Sequence, residues 1–326
     1  MDDTTMTASL PVIFDCDPGI DDSIALLGAF VAPELDIRAI LTVCGNQPLE
    51  RTLRNALQIC ELAGRDGIPV HPGAPRPLCR EPIHGLFHGE TGLGAARLPE
   101  PQKRPEPTGA VEALIDHLGR AVREEGPKIT LCCLGPLTNL ALALRIAPDI
   151  AGGIERVVMM GGAFHAPGNR SLTSEFNMLA DPHAAAVVFA AGLPMTVLGL
   201  DATHQVILRP EHVARFVGAS GRISAAMAGL MASWDRNDPK RYGTRGGPLH
   251  DPLVTAFLLR PDLFETRPAR IFVETESPLC LGQTVADWYG QSGAPANADI
   301  VLKVDAEGVI DLYLGLLTQY EMRGAA

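Results

Sequence analysis

The chain has 326 residues, enough for one large α/β domain or two smaller ones, and its 46% hydrophobic content can bury a core and excludes long disordered tracts. Thirty-eight acidic side chains against 27 basic ones give a formal net charge of -11, and no basic run interrupts the sequence. That balance argues against nucleic acid as a partner and favours a neutral or cationic ligand, or a metal ion.

Short apolar runs alternate with helical patterns from the amino end. The runs "PVIFD" (11–15), "DIRAILTV" (36–43), "KITLCCL" (128–134), "IERVVMMG" (154–161) and "LPMTVLGL" (193–200) are of the buried-strand type. Between them, 21–32, 48–64, 109–125, 137–148 and 181–192 have helical spacing, and several begin after Pro, Asp or Thr and stop at Gly or Pro. Such alternation predicts a single α/β domain over 11–326, with a mostly parallel central sheet flanked by helices in a Rossmann-like order. Residues 1–10 are expected to form a disordered tail. Beyond residue 200 the pattern predicts helices near 210–218, 222–236, 251–260 and 307–320, and short strands near 270–274 and 298–304. The Pro- and Gly-rich stretch from 72 to 107 reads as a long loop.

Seven cysteines (16, 44, 60, 79, 132, 133 and 280) include no CxxC pair, and several lie in apolar runs, which points to a reducing cytoplasm. The amino terminus lacks an apolar signal core, and no window reaches the roughly 20 apolar residues needed to span a bilayer, so no membrane partner is expected.

In parallel sheets ligands bind beyond the carboxyl ends of the strands, and the unusual residues cluster there. "DCDPGIDD" places Asp15, Asp17, Asp21 and Asp22 within eight positions between two apolar runs. Asp15 and Asp17 end the first strand, Pro18-Gly19 turns the chain, and Asp21 and Asp22 fall in the first helical turn, where the macrodipole favours negative charge. Capping accounts for one of these acids; a divalent cation neutralises all four. Carboxylate oxygen suits calcium or magnesium rather than zinc, for which no Cys/His spacing is present. Three classes follow from the cluster alone: an aspartyl phosphotransferase with Asp15 as nucleophile, a cation-binding loop, or a hydrolase that uses activated water.

The rest of the chain distinguishes them. "DCDPGIDD", "TVCGN" (42–46), "LGPLTNLA" (134–141), "VVMMGGAF" (157–164), "SEFNMLADPHAA" (174–185), "LGLDATH" (198–204) and "PLHDPL" (248–253) follow one another in an order that resembles the inosine-uridine-preferring nucleoside hydrolase family from about Val12 to Leu317. The resemblance implies hydrolysis of the N-glycosidic bond of ribonucleosides, to free base and ribose, through an oxocarbenium-like state. It implies a calcium site of Asp17, Asp22, Asp251 and the main-chain carbonyl of Leu134, with Asp15 steadying its neighbours from behind.

Residue roles are carried over in the same way. Asp17 would be the general base for water activated at the ion, and Asp21, Asn46, Asn169, Glu175 and Asn177 would hold ribose hydroxyls. His250 would protonate the departing base. His88, on the loop that in this family closes over substrate, and Tyr242, where some pyrimidine-preferring members have tyrosine, would approach the base, with Met160 beside the ribose. His165, His183, His204, Trp234 and Trp288 read as structural. The family also implies a dimer or tetramer. Two other readings remain at this stage: a non-catalytic nucleoside- or ribose-binding protein, and a magnesium-dependent phosphotransferase, which lacks an evident phosphate-cradling loop.

Overall fold

From the amino end the chain forms β1 (Leu10–Cys16), α1 (Ile20–Val31), β2 (Leu35–Thr42), α2 (Leu49–Ala63), β3 (Val70–His71), α3 (Ala110–Val122), β4 (Ile129–Cys133), α4 (Thr138–Ile146), β5 (Ile154–Met160), α5 (Phe176–Ala180), α6 (Pro182–Ala190) and β6 (Met195–Leu198). There follow α7 (Leu200–Thr203), β7 (Ile207–Leu208), α8 (Pro210–Gly218), α9 (Ser224–Met231), α10 (Pro239–Tyr242), β8 (Gly247–Pro248), α11 (Pro252–Leu259), β9 (Phe264–Val273), β10 (Thr284–Asp287), β11 (Ala298–Val304) and α12 (Ala306–Gly324). This is a computed structural model, and it describes residues 9–234 and 239–324.

Nine strands make one sheet in the order β10-β9-β11-β6-β5-β4-β1-β2-β3. Pairing is parallel from β3 through β11, and β9 runs against both β11 and β10. β1 sits between β2 and β4, with Asp15 level with Leu41 on one side and Cys133 on the other. The chain moves outward from β1 to β3, then crosses back through α3 to β4. That reversal opens a crevice at the carboxyl ends of β1 and β4.

Alternation along the strands divides the interior into two packed layers. Val12, Phe14 and Cys16 face the layer built with α1, α11 and α12, whereas Ile13, Ala39 and Leu41 face α3, α4 and α6. α1 is buried along its whole length, so its apolar run needs no polar face. Gly28 in its middle costs about 1 kcal/mol against alanine by propensity. Its reason is contact: a Cβ there would lie 2.7 Å from Cε1 of Tyr313 on α12.

The expected elements before residue 200 are found within a few residues of their predicted bounds. Three differences have physical causes. The strand expected at 270–274 is the end of the longer β9, whose first seven residues, "FETRPAR", are mostly exposed and so carry no apolar run. The helix expected at 222–236 is α9, entered by a 3-10 turn at Gly221–Ile223; residues 235 and 236 lie outside the described residues. The expected tail ends sooner, because Leu10 already pairs with Leu35 and donates its N–H to the Glu34 carbonyl; residues 1–8 lie outside the described residues. β3 and β10 are too short for a sequence pattern to announce them. Among the described residues no helix is long and apolar enough to cross a membrane.

Phe14 is fully buried on the strand that delivers the aspartates. Phe14→Ala should lower the unfolding free energy by about 3–5 kcal/mol, read from the urea midpoint by circular dichroism. A loss below about 1 kcal/mol would show that this layer is not packed as described.

Candidate active site

Tight turns at the ends of β1, β2 and β4 build the floor of the crevice. The backbone N–H groups of Asp17 and Gly19 donate to the Asp22 carboxylate at 3.1 and 3.0 Å. Asn46, after β2, donates its N–H to Asp17 Oδ2 at 2.6 Å and its side-chain amide to Asp22 Oδ2 at 3.2 Å. Two glycines leave room for the Asp17 carboxylate. A Cβ at Gly45 would lie 2.0 Å from Asp17 Oδ2, and one at Gly135 would lie 2.6 Å from Oδ1. The glycines of "CGN" and "LGP" are therefore there because a carboxylate occupies the space.

Asp15 is the innermost acid. Asn139 of α4 donates to its Oδ1 at 2.7 Å, and the Leu134 N–H donates to its main-chain carbonyl at 2.8 Å. Asn139 also donates to the Thr42 carbonyl and accepts from Ala74 N–H, so one amide ties together β1, β2 and the start of the long loop. Sequence reading missed its role. The available signal is a lone asparagine inside the apolar helix "LTNLALAL".

Above the floor lies a cleft open to solvent. Among the residues expected at the site, it is lined by Asp21, Asn46, His88, Leu134, Met160, Asn169, Glu175, Asn177, His250 and Asp251. Asp17 and Asp22 sit beneath it, both fully buried. Tyr242 is not in its lining; its ring meets His204 edge-on at 5.4 Å, and His204 in turn lies 6.0 Å from the His250 ring. Leu86, Phe87, Arg170 and Phe176 also line the cleft; sequence reading assigned them no role, Phe176 although it lies in the quoted "SEFNMLADPHAA" segment.

Glu175 caps α5, accepting from the N–H groups of Asn177 at 2.8 Å, Gly162 at 3.1 Å and Met178 at 3.2 Å. Asn177 donates to the carbonyls of Leu134 at 2.7 Å and Met160 at 3.2 Å. Both side chains therefore brace the wall as well as face the cavity. His88 Nδ1 accepts from the Ile20 N–H at 3.1 Å and stands 4.0 Å from Asp21 Oδ1. His250 Nδ1 pairs with the Thr203 hydroxyl at 2.9 Å.

The electrostatics are dominated by burial. Burial and the neighbouring charge of Asp22 push Asp17 well above the ordinary carboxylate range, opposed by the Asn46 N–H. Burial and the charges of Asp22, Asp21 and Asp17 raise Asp251 as well. Asp22 is raised by burial, against the Gly19 N–H. No arginine or lysine forms an ion pair with any of these acids among the described residues. Asp17 Oδ1, Asp21 Oδ1 and Asp15 Oδ2 are buried without a hydrogen-bond partner.

Those orphaned oxygens match the chemistry of a hard cation, which accepts carboxylate and carbonyl donors. Among the described residues no three His, Cys, Asp or Glu side chains form a ready-made metal cage. A cation held there would need further oxygens, from main chain, ligand or water, beside the carboxylates. The residues fit calcium by donor type and by uncompensated charge.

Comparison with known proteins settles the family. The family model described as inosine-uridine preferring nucleoside hydrolase matches residues 12–311. The chain belongs to that family. It is 42% identical to a pyrimidine-specific ribonucleoside hydrolase, RihA, of Shewanella sp. (strain ANA-3), over 96% of this chain and 97% of that one. Among solved structures it resembles a purine-preferring ribonucleoside hydrolase from Gardnerella vaginalis (TM-score 0.86, 29% identity, 95% and 99% of the two chains). A plant nucleoside hydrolase is equally similar (TM-score 0.86, 30% identity, 95% and 99%). The fold class expected from the sequence is that of these enzymes.

Burial raises Asp15 from 3.8 to about 7, against the Asn139 amide, and raises Glu175 from 4.5 to about 7, against backbone N–H groups. Between about pH 4 and 7 the folded hydrolase holds protons that the unfolded chain has released, so stability must fall as pH rises through that window. In chelator the melting temperature should be lower at pH 8 than at pH 5.5, and Asp15→Asn should flatten the difference. An unchanged pH slope in that variant would remove Asp15 from the account.

Proposed function

We propose that this hydrolase cleaves the N-glycosidic bond of ribonucleosides, pyrimidine ribonucleosides foremost, in a calcium-dependent reaction that yields free base and ribose. One observation carries the reading: buried carboxylates that pair with no lysine or arginine among the described residues underlie a cleft walled by asparagines and histidines. The pyrimidine preference is supported by the 42% identity to the pyrimidine-specific relative, against 29% to the purine-preferring one.

Asp17, Asp22, Asp251 and the Leu134 carbonyl would hold the ion. When bound, calcium supplies positive charge against the carboxylates and acidifies water. Asp17, in its glycine-lined slot, takes the proton of the attacking water as that water adds to the anomeric carbon. The bond from that carbon to the base nitrogen breaks with its electron pair leaving on the base. His250, oriented by Thr203, donates a proton to the departing nitrogen. Asp21, Asn46, Asn169 and Asn177 pair with ribose hydroxyls, and Glu175 supports the same wall. His88, Met160 and, one ring further back, Tyr242 and His204 shape the space around sugar and base. The surrounding negative charge favours the ribosyl cation as it develops.

A phosphotransferase with Asp15 as nucleophile is disfavoured, because Asp15 is turned onto Asn139 and is not part of the cleft lining. The same reading includes a homo-oligomer, a dimer or tetramer, in the cytoplasm. It is supported by the unpaired state of all seven cysteines and by exposed Phe272, Leu279, Val285 and Tyr289 at the β9–β10 end of the sheet.

Reducing-sugar release should be fastest with uridine or cytidine, slower with inosine and adenosine, and near background with deoxyuridine. Chelation should abolish it and calcium restore it. Activity indifferent to chelators would discard the cation, and a purine optimum would reverse the base assignment.

His250→Ala should slow uridine cleavage at least 100-fold while slowing p-nitrophenyl riboside, whose leaving group needs no proton, by less than about 10-fold; proton donation of this kind typically contributes 10²–10⁴-fold. Equal slowing of both substrates would remove the proton-donor role.

A further inference from the structure

We infer that Tyr313 is a positioning residue for the cation site: a buried clamp on α12 that holds α11, bearing Asp251, at the spacing from α1, bearing Asp21 and Asp22, that a shared ion requires. The inference rests on the calcium reading above.

Tyr313 is fully buried, 62 positions from Asp251 in sequence, and touches no part of the cleft. Its phenol donates to the Pro252 carbonyl at 3.0 Å, one residue past Asp251. Thr255 lies one turn further along the same helix, α11. Thr255 in turn donates to the Ala25 carbonyl of α1 at 3.3 Å. Two hydrogen bonds thus tie α12 to α11 and α11 to α1, with α11 itself as the link between them.

Two contacts hold the ring in place. Gly28 lets it approach, since a Cβ there would lie 2.7 Å from Cε1 and 3.2 Å from the phenol oxygen. Phe216 of α8 stacks on it at 6.3 Å with planes 9° apart. Lower on α12, Tyr320 donates to the Leu27 carbonyl at 2.9 Å, so α12 grips α1 independently of the Tyr313 link.

The clamp has work to do because Asp251 and Asp22 repel. Each is buried, each feels the other's charge or that of Asp21, and among the described residues no lysine or arginine forms an ion pair with either. That repulsion pushes the two helix starts apart. Hydrogen bonds from behind oppose that splay and preorganise the oxygens for a ligand common to both.

Tyr313→Phe keeps the ring, the Phe216 stack and the Gly28 contact while removing the phenol hydroxyl. Calcium binding to metal-free full-length protein would be measured by titration calorimetry, alongside melting temperature in chelator and in saturating calcium. The expected result is a calcium Kd raised at least fivefold and a smaller rise in melting temperature on adding calcium. A lower melting temperature in chelator with an unchanged Kd would show a merely structural tyrosine and overturn the inference. No change in either would overturn it too. Thr255→Val, which removes the link to α1 with little change in volume, should raise the Kd in the same sense and decides the matter if Tyr313→Phe does not fold. A wild-type protein that takes up no calcium would instead refute the cation reading itself.

Discussion

Five acids, Asp15, Asp17, Asp21, Asp22 and Asp251, are buried around one strand end, and no lysine or arginine pairs with them among the described residues. Taking an unpaired carboxylate out of water costs on the order of several kcal/mol, and like charges nearby increase that cost. A fold that keeps such a cluster must offset it, and the local architecture is the set of devices that do. Backbone N–H groups of the β1–α1 turn and of Asn46 satisfy one side of Asp17 and Asp22. The start of α1 turns the positive end of its dipole toward Asp21 and Asp22. Each device is fixed when the chain folds. What remains is directed outward as orphaned oxygen, which is the complement of a cation.

The sheet makes that concentration possible. Seven strands are mutually parallel from β3 to β11, so their carboxyl ends and the loops that follow them share one edge. Asn46 after β2, Leu134 after β4 and Met160 at the end of β5 reach the same cleft through that common polarity. His250 and Asp251 arrive from the other direction, after the short β8, and α11 places them by packing on α1. The candidate site is therefore a junction between the first layer of the sheet and the late helices, to which the carboxy-terminal third of the chain contributes His250 and Asp251.

The parallel core was legible because buried strands and helices leave periodic apolar runs, and the acid cluster was legible because four aspartates in eight positions have no structural use of their own. Asn46, Asn169, Asn177 and His250 were identified through motif resemblance, and the cleft indeed brings them together. Tyr242 was expected against the base but contacts His204 instead, a distinction of one ring that sequence spacing does not encode. Arg170, Leu86 and Phe87 escaped notice for a different reason: each is ordinary for its segment, and only tertiary contact gives it a place. β9 was half missed because an antiparallel strand near the sheet edge exposes charged residues and breaks the apolar run.

Fixed donors on one side and unpaired oxygens on the other have a catalytic consequence. A site whose dipoles are set by folding needs little reorganisation as charge develops in the transition state, and this is where electrostatic catalysis is most effective. The cost is carried instead by the resting protein, as carboxylates raised above their ordinary range by burial and by one another. In the proposed reaction a ligand that brings positive charge relieves that strain, first as an ion and then as the developing ribosyl cation. Cofactor affinity and transition-state affinity thus draw on the same uncompensated negative charge. A substitution that made the empty site comfortable, by pairing one aspartate with a lysine, would weaken both together.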